Sequence, residues 1–365
     1  MSKESECNSN RVITARHIAE KALPSTNNAI NSSVLCHSYT LEPDFGTYLT
    51  ALSTYAWVLW SCGLVLVIAT WVLYAVTLRS ALRHWKQCAV NVSVVLAVYP
   101  LVAAAGFLAV VVPRARLLAE AAAQEAVMIA MYNFFSMVIS ECGGPDQLVR
   151  QAAGGRLETR VLPCCCWPCC ILPRPRKNIT CLRYLVLQMP IVQTFLYIII
   201  LVLWAEDMDL YLQCFVYIQP FIAASILSGM WGIIMSLRVS VNAGHNPRAR
   251  LVALQLVLLV VKLQCGLAKV LPELVDFPCI APLNTSVFAN MIQNSLMMLE
   301  MLALSLWAWR LYRVPPGKRL DKAVHVSVAV LDDSILSENK YLLKINMVFI
   351  TVSNSNYQSH MQHVM

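Results

Sequence analysis

Residues 54–78 read TYAWVLWSCGLVLVIATWVLYAVTL, an uncharged run of 25 residues closed by Arg79. At 1.5 Å rise per residue such a run crosses a hydrocarbon core roughly 30 Å thick, where only a helix or a closed barrel satisfies its own backbone groups. Strict apolar/polar alternation is absent, so the run reads as a helix. Six more runs follow at 88–112, 117–139, 184–204, 212–235, 251–271 and 287–311. The expected fold is all-α: a polytopic membrane protein with seven transmembrane helices within 54–311. A polar segment, 1–53, precedes them, a cysteine-rich loop, 140–183, divides them, and a tail, 312–365, follows.

Composition agrees, because 58% hydrophobic against 13% charged residues is far from the soluble average of about one quarter charged. The mean hydropathy is +0.60. Short cytoplasmic loops retain Lys and Arg, which fixes orientation. Arg79, Arg83 and Lys86 follow the first run, Arg150 to Arg183 supply seven cations after the third, Arg238, Arg248 and Arg250 follow the fifth, and Arg310, Arg313, Lys318 and Arg319 follow the seventh. Acidic Glu206, Asp207, Asp209, Glu273 and Asp276 lie in the opposite loops, and only Arg114 and Arg116 dissent. The N-terminus is therefore expected outside and the C-terminus in the cytoplasm. The net charge of +8 then faces anionic headgroups, so membrane lipids rather than nucleic acid are the expected partners. No charged n-region followed by an apolar h-region opens the chain, and the first run is expected to act as an uncleaved insertion signal.

Two sequons, Asn31-Ser32-Ser33 and Asn284-Thr285-Ser286, fall in expected outside segments and are glycosylation candidates. The loop after the third run carries Pro163-Cys164-Cys165-Cys166-Trp167-Pro168-Cys169-Cys170, with Cys181 beyond. Cysteines beside basic residues at a membrane suit S-palmitoylation, which makes Cys164, Cys165, Cys166, Cys169 and Cys170 the candidate acceptors. A zinc pair at Cys166 and Cys169 lacks a second pair at finger spacing, and a redox role lacks its fold context. Unmodified thiols are the remaining reading. Outside, a Cys36 to Cys279 bridge or free thiols stay open. No phosphate cradle, zincin helix or nucleophile elbow occurs, so neither an enzyme nor a cofactor is expected.

The order of these features resembles the alpha subunit of the organic solute transporter. The resemblance runs from about Ser33 to Tyr312: Cys36 ahead of the first run, Pro113-Arg114 after the second, Glu141-Cys142-Gly143-Gly144 after the third, then the proline-flanked cysteines, and Asn294 to Glu300 in a last run ending Arg310-Leu311-Tyr312-Arg313. Where the family commonly carries Glu-Gly-Phe-Gly-Gly, this chain is one residue shorter. The resemblance implies facilitated, bidirectional passage of amphipathic organic anions such as steroid sulfates or bile-acid-like conjugates. It also implies the plasma membrane and a single-span beta-type subunit.

Polar groups at membrane depth are costly and normally face protein or a wet path. Gln255, Lys262 and Lys269 are spaced seven and seven, one face of a helix with about 20° of drift per step. They are candidate solute contacts, with Asn290 and Asn294 on one face of the last run and Glu300 deeper in it. The structural alternative pairs Glu120 with Lys269 and Glu125 with Lys262, matched in depth on the third and sixth runs, and gives the asparagines helix–helix hydrogen bonds. Pro100, Pro190 and Pro220 are expected to kink their helices. The rival class is a seven-span receptor or scaffold. Against it, the third run ends Val138-Ile139-Ser140-Glu141 and the last contains no Asn-Pro-x-x-Tyr.

Overall fold

A computed structural model describes residues 45–152, 175–242, 247–274 and 285–313, and all their regular structure is helical. A short α1 (Phe45–Leu52) precedes α2 (Thr54–His84), α3 (Ala89–Val111), α4 (Arg116–Glu141), the short α5 (Pro145–Ala152), α6 (Pro175–Glu206), α7 (Met208–Asn242), α8 (Arg248–Leu274) and α9 (Thr285–Tyr312). Seven of these, α2 to α4 and α6 to α9, are long and apolar enough to cross a membrane. Their ends differ from the apolar runs. Helix α6 begins at Pro175, nine residues before the run at 184, because Arg176 and Lys177 end a hydropathy window without ending a helix.

Local sequence explains the turns. Gly143 and Gly144 take positive φ, 80° and 94°, and close α4 as a Schellman motif, with Gly144 N–H on Ile139 O and Gly143 N–H on Ser140 O, both 3.1 Å. Pro145 then opens α5, where its missing donor costs nothing. Pro100, Pro190 and Pro220 all lie inside their helices.

Helix α4 is the centre of the bundle, packed against α3, α6, α7 and α8. Helices α2, α3 and α9 pack on one another, and α6 pairs with α7. Helix α8 packs on α9 and α4, and among the described residues it makes no comparable contact with α7. The sorting of side chains is that of a protein dissolved in lipid. Ile191, Phe195, Ile198 and Val202 of α6, and Ile292, Leu296, Leu299 and Leu306 of α9, form exposed apolar stripes. Gln124, Gln193, Gln264, Asn290 and Asn294 are buried. Helices joined in lipid gain little by hiding leucine alone, and the interfaces add polar groups and close-approach glycines to a core of Met, Val and Phe such as Met128, Met131, Phe134 and Val257. Gly106 is one such place: a Cβ there would stand 3.5 Å from Asn294 O and Oδ1, so α3 and α9 approach closely.

Candidate functional site

Two polar clusters lie at mid-depth on opposite faces of α8. Lys262 and Gln264 are two residues apart, which at 100° per residue turns them about 200° from each other. Lys262 faces α4 and donates from Nζ to Gln124 Oε1. Gln193 of α6 donates to the same oxygen at 3.4 Å, and Gln124 Nε2 donates to Glu120 Oε1 at 3.2 Å. Gln124 is 3% exposed and joins three helices at one point. Lysine offers donors only, so the amide oxygen must be the atom turned to Lys262 and the amide NH2 the group turned to the carboxylate. Tyr197 of α6 stands beside Gln193 and within electrostatic reach of Glu120 and Cys265.

On the other face, Gln264 Nε2 donates to Glu300 Oε2 of α9, leaving Gln264 Oε1 buried with no hydrogen-bond partner. Gln293 Nε2, about two turns before Glu300 on α9, lies 3.9 Å from Sγ of Cys265, the residue after Gln264. Lys262 and Glu300 each stand twelve residues from an end of the bundle, Arg250 and Tyr312 respectively, or about 18 Å along the helix. Both clusters therefore sit near the middle of the membrane-crossing length.

The candidates from sequence separate into groups. Asn290 and Asn294 are buried where α9 meets α3: Asn290 Nδ2 approaches Ala109 O at 3.5 Å, and Asn294 Nδ2 donates to Asn290 O at 2.8 Å and Oδ1 at 2.9 Å. Gln255 is half-buried two turns from Lys262 on α8. The backbone carries Lys269 on that same side, while its side chain lies outside the described residues. Glu125 lies about 100° further round α4 than Gln124. It stands beside Thr194 of α6, with Oε2 buried and without a hydrogen-bond partner. Also outside the described residues are Cys164, Cys165, Cys166, Cys169 and Cys170, Asn31 and Asn284, and the Cys36 and Cys279 pair.

One feature escaped sequence reasoning. At the end where α4 finishes and α8 begins, Arg250 forks onto Glu141, its Nη1 on Oε1 and its Nη2 3.4 Å from Oε2. The guanidinium lies 4.4 Å over the Trp85 ring and 6.0 Å from that of Tyr312. Each charge sits at the unfavourable end of its own helix dipole, glutamate at a C-terminus and arginine at an N-terminus, and the pair neutralises both. Next to it, Cys142 Sγ meets Ser240 Oγ at 3.2 Å, tying α4 to α7. Burial and the nearby Glu141 push the Cys142 thiol pKa up, while the Ser240 contact opposes them. Glu141 was visible as part of a motif and Arg250 as a loop cation. Their presence at the same expected membrane face was the available signal.

The family profile of the organic solute transporter Ostalpha matches residues 59–316. The chain is 26% identical over 255 residues to the organic solute transporter alpha-like protein of Drosophila melanogaster, covering 68% of this chain and 78% of that one. It is 23% identical over 228 residues to organic solute transporter subunit alpha of Danio rerio, covering 60% of this chain and 70% of the relative. The corresponding subunit of Leucoraja erinaceus is 22% identical over 226 residues, 59% of this chain and 62% of its own length. No solved structure matches.

Proposed function

This chain belongs to the organic solute transporter Ostalpha family, a multi-pass membrane protein of a solute-transporting class, and on that premise we propose that it carries amphipathic organic anions. The solutes are steroid sulfates or bile-acid-like conjugates, moving in either direction down their own gradient. One observation carries the reading: Lys262, a cation at mid-depth, faces α4 and α6 in a bundle where, among the described residues, α8 makes no contact with α7 comparable to those with α9 and α4. A cation there recognises a sulfate or carboxylate, and the apolar side chains of α7 and α8 cover a steroid body. Glu300 with Gln264 forms the second polar face of α8. Gln255 and Lys269 extend the Lys262 side toward the two ends.

The amino end is outside and the carboxyl end cytoplasmic, which puts Glu141 and Arg250 at the cytoplasmic face. The positive loops support that orientation. The chain works at the plasma membrane with a single-span beta-type partner, Cys164 to Cys170 carry acyl chains, and Asn31 and Asn284 carry glycans. The test is Lys262→Met in cells given labelled estrone sulfate. Uptake per molecule of surface protein should fall at least tenfold, the order of a lost charge-assisted hydrogen bond. Surface protein and uptake falling in proportion would instead assign Lys262 to helix pairing.

A further inference from the structure

We propose that the side-chain oxygen of Gln124 occupies the position of the solute's anionic oxygen, so that Gln124 is a displaceable internal ligand which sets how tightly the carrier holds its solute. The inference rests on the transport reading above and deepens it.

The geometry is that of an oxyanion site already filled from within. Two donors from two helices, Lys262 Nζ of α8 and Gln193 Nε2 of α6, converge on one acceptor atom, Gln124 Oε1 of α4. A sulfate or carboxylate oxygen accepts the same two donors and adds the negative charge that the amide lacks. Gln124 is held from behind by its Nε2 on Glu120 Oε1 at 3.2 Å. That contact lets the amide rock toward the carboxylate when its oxygen is displaced, without leaving its NH2 unpaired.

A neutral occupant has a physical advantage. An ammonium at membrane depth is expensive to leave short of acceptors, and between solutes Gln124 Oε1 supplies one to Lys262. A carboxylate at position 124 would bind that ammonium too strongly for solute to compete. An amide is strong enough to satisfy the lysine and weak enough to be exchanged. The solute therefore pays only the difference between the two acceptors, and release is eased by the returning glutamine.

This gives opposite signs for two substitutions at one position. Gln124→Ala removes the internal competitor from Lys262 and Gln193, so KM for labelled estrone sulfate should fall about three- to tenfold, the range of one exchanged hydrogen bond. Gln124→Glu supplies a permanent counter-ion. Its KM should rise at least tenfold, because the carboxylate competes with the solute's anionic oxygen for Lys262. A residue that only ties helices together would act on Vmax and surface level with KM unmoved. Gln124→Ala with unchanged or raised KM overturns the proposal while leaving the transport reading intact. Absence of saturable uptake by wild type in the same cells defeats the transport reading and this inference with it.

Discussion

Arg250 and Glu141, 109 residues apart in sequence, meet as a forked ion pair with side chains 12% and 3% exposed. The pair fastens the last residue of α4 to the first turn of α8, with Trp85 and Tyr312 shielding it from α2 and α9. Removing one partner strands a buried charge, which typically costs about 3–5 kcal/mol. Glu141→Ala should therefore melt well below wild type in detergent, and Arg250→Met should do likewise. The double substitution should recover part of the loss. Strict additivity of the two single losses would show that the residues are not coupled.

Gly229 of α7 lies against Met189 of α6, where an added Cβ would collide with the methionine Sδ and Cγ. Gly229→Ala overpacks the interface and should destabilise by about 1–3 kcal/mol. Combining it with Met189→Ala makes room, and the second change should then hurt less in the Gly229→Ala background than alone. Equal costs in both backgrounds would mean that the two helices do not meet there.

Tyr48 of α1 is buried and donates its hydroxyl to Val110 O of α3 at 2.7 Å. Burial pushes its pKa up from the ordinary 10 to about 12. The fold prefers the neutral phenol, so this contribution is complete below pH ~10 and lost as pH climbs toward 12. Tyr48→Phe should cost about 1 kcal/mol at neutral pH and shrink the fall of melting temperature on the alkaline side. An alkaline limb identical to wild type would place the titration elsewhere.

Cys142 is buried, hydrogen-bonded with Ser240 Oγ, and its pKa is raised mainly by burial. Thiolate is the reactive form, so this thiol should resist maleimide near neutral pH in native membranes and react on denaturation. Glu141→Ala opens its surroundings and should bring native labelling forward. Fast labelling of the wild-type thiol would contradict the packing of α4 on α7.

Sequence made the seven crossings legible because lipid imposes length and apolarity, and both can be read locally. It was blind to how far α6 and α7 continue, since a helix needs no apolar side chains beyond the hydrocarbon. Spacing of seven singled out Lys262, and depth reckoning brought it level with α4. The azimuth was missing: one residue along α4 turns the side chain by about 100°, which separates Gln124 from Glu125. Gln124 and Lys262 are 138 residues apart, a contact that no local pattern encodes. The asparagines of α9 were legible as one face, but whether that face meets α3 or a solute path depends on helix packing.

The most direct test of the account is flux through the purified chain in liposomes, alone and with a beta-type partner, using labelled estrone sulfate. The account predicts saturable uptake, accelerated by unlabelled solute on the opposite side and reduced at least tenfold in Lys262→Met. Leakage no greater than that of protein-free liposomes, with and without the partner, would contradict it.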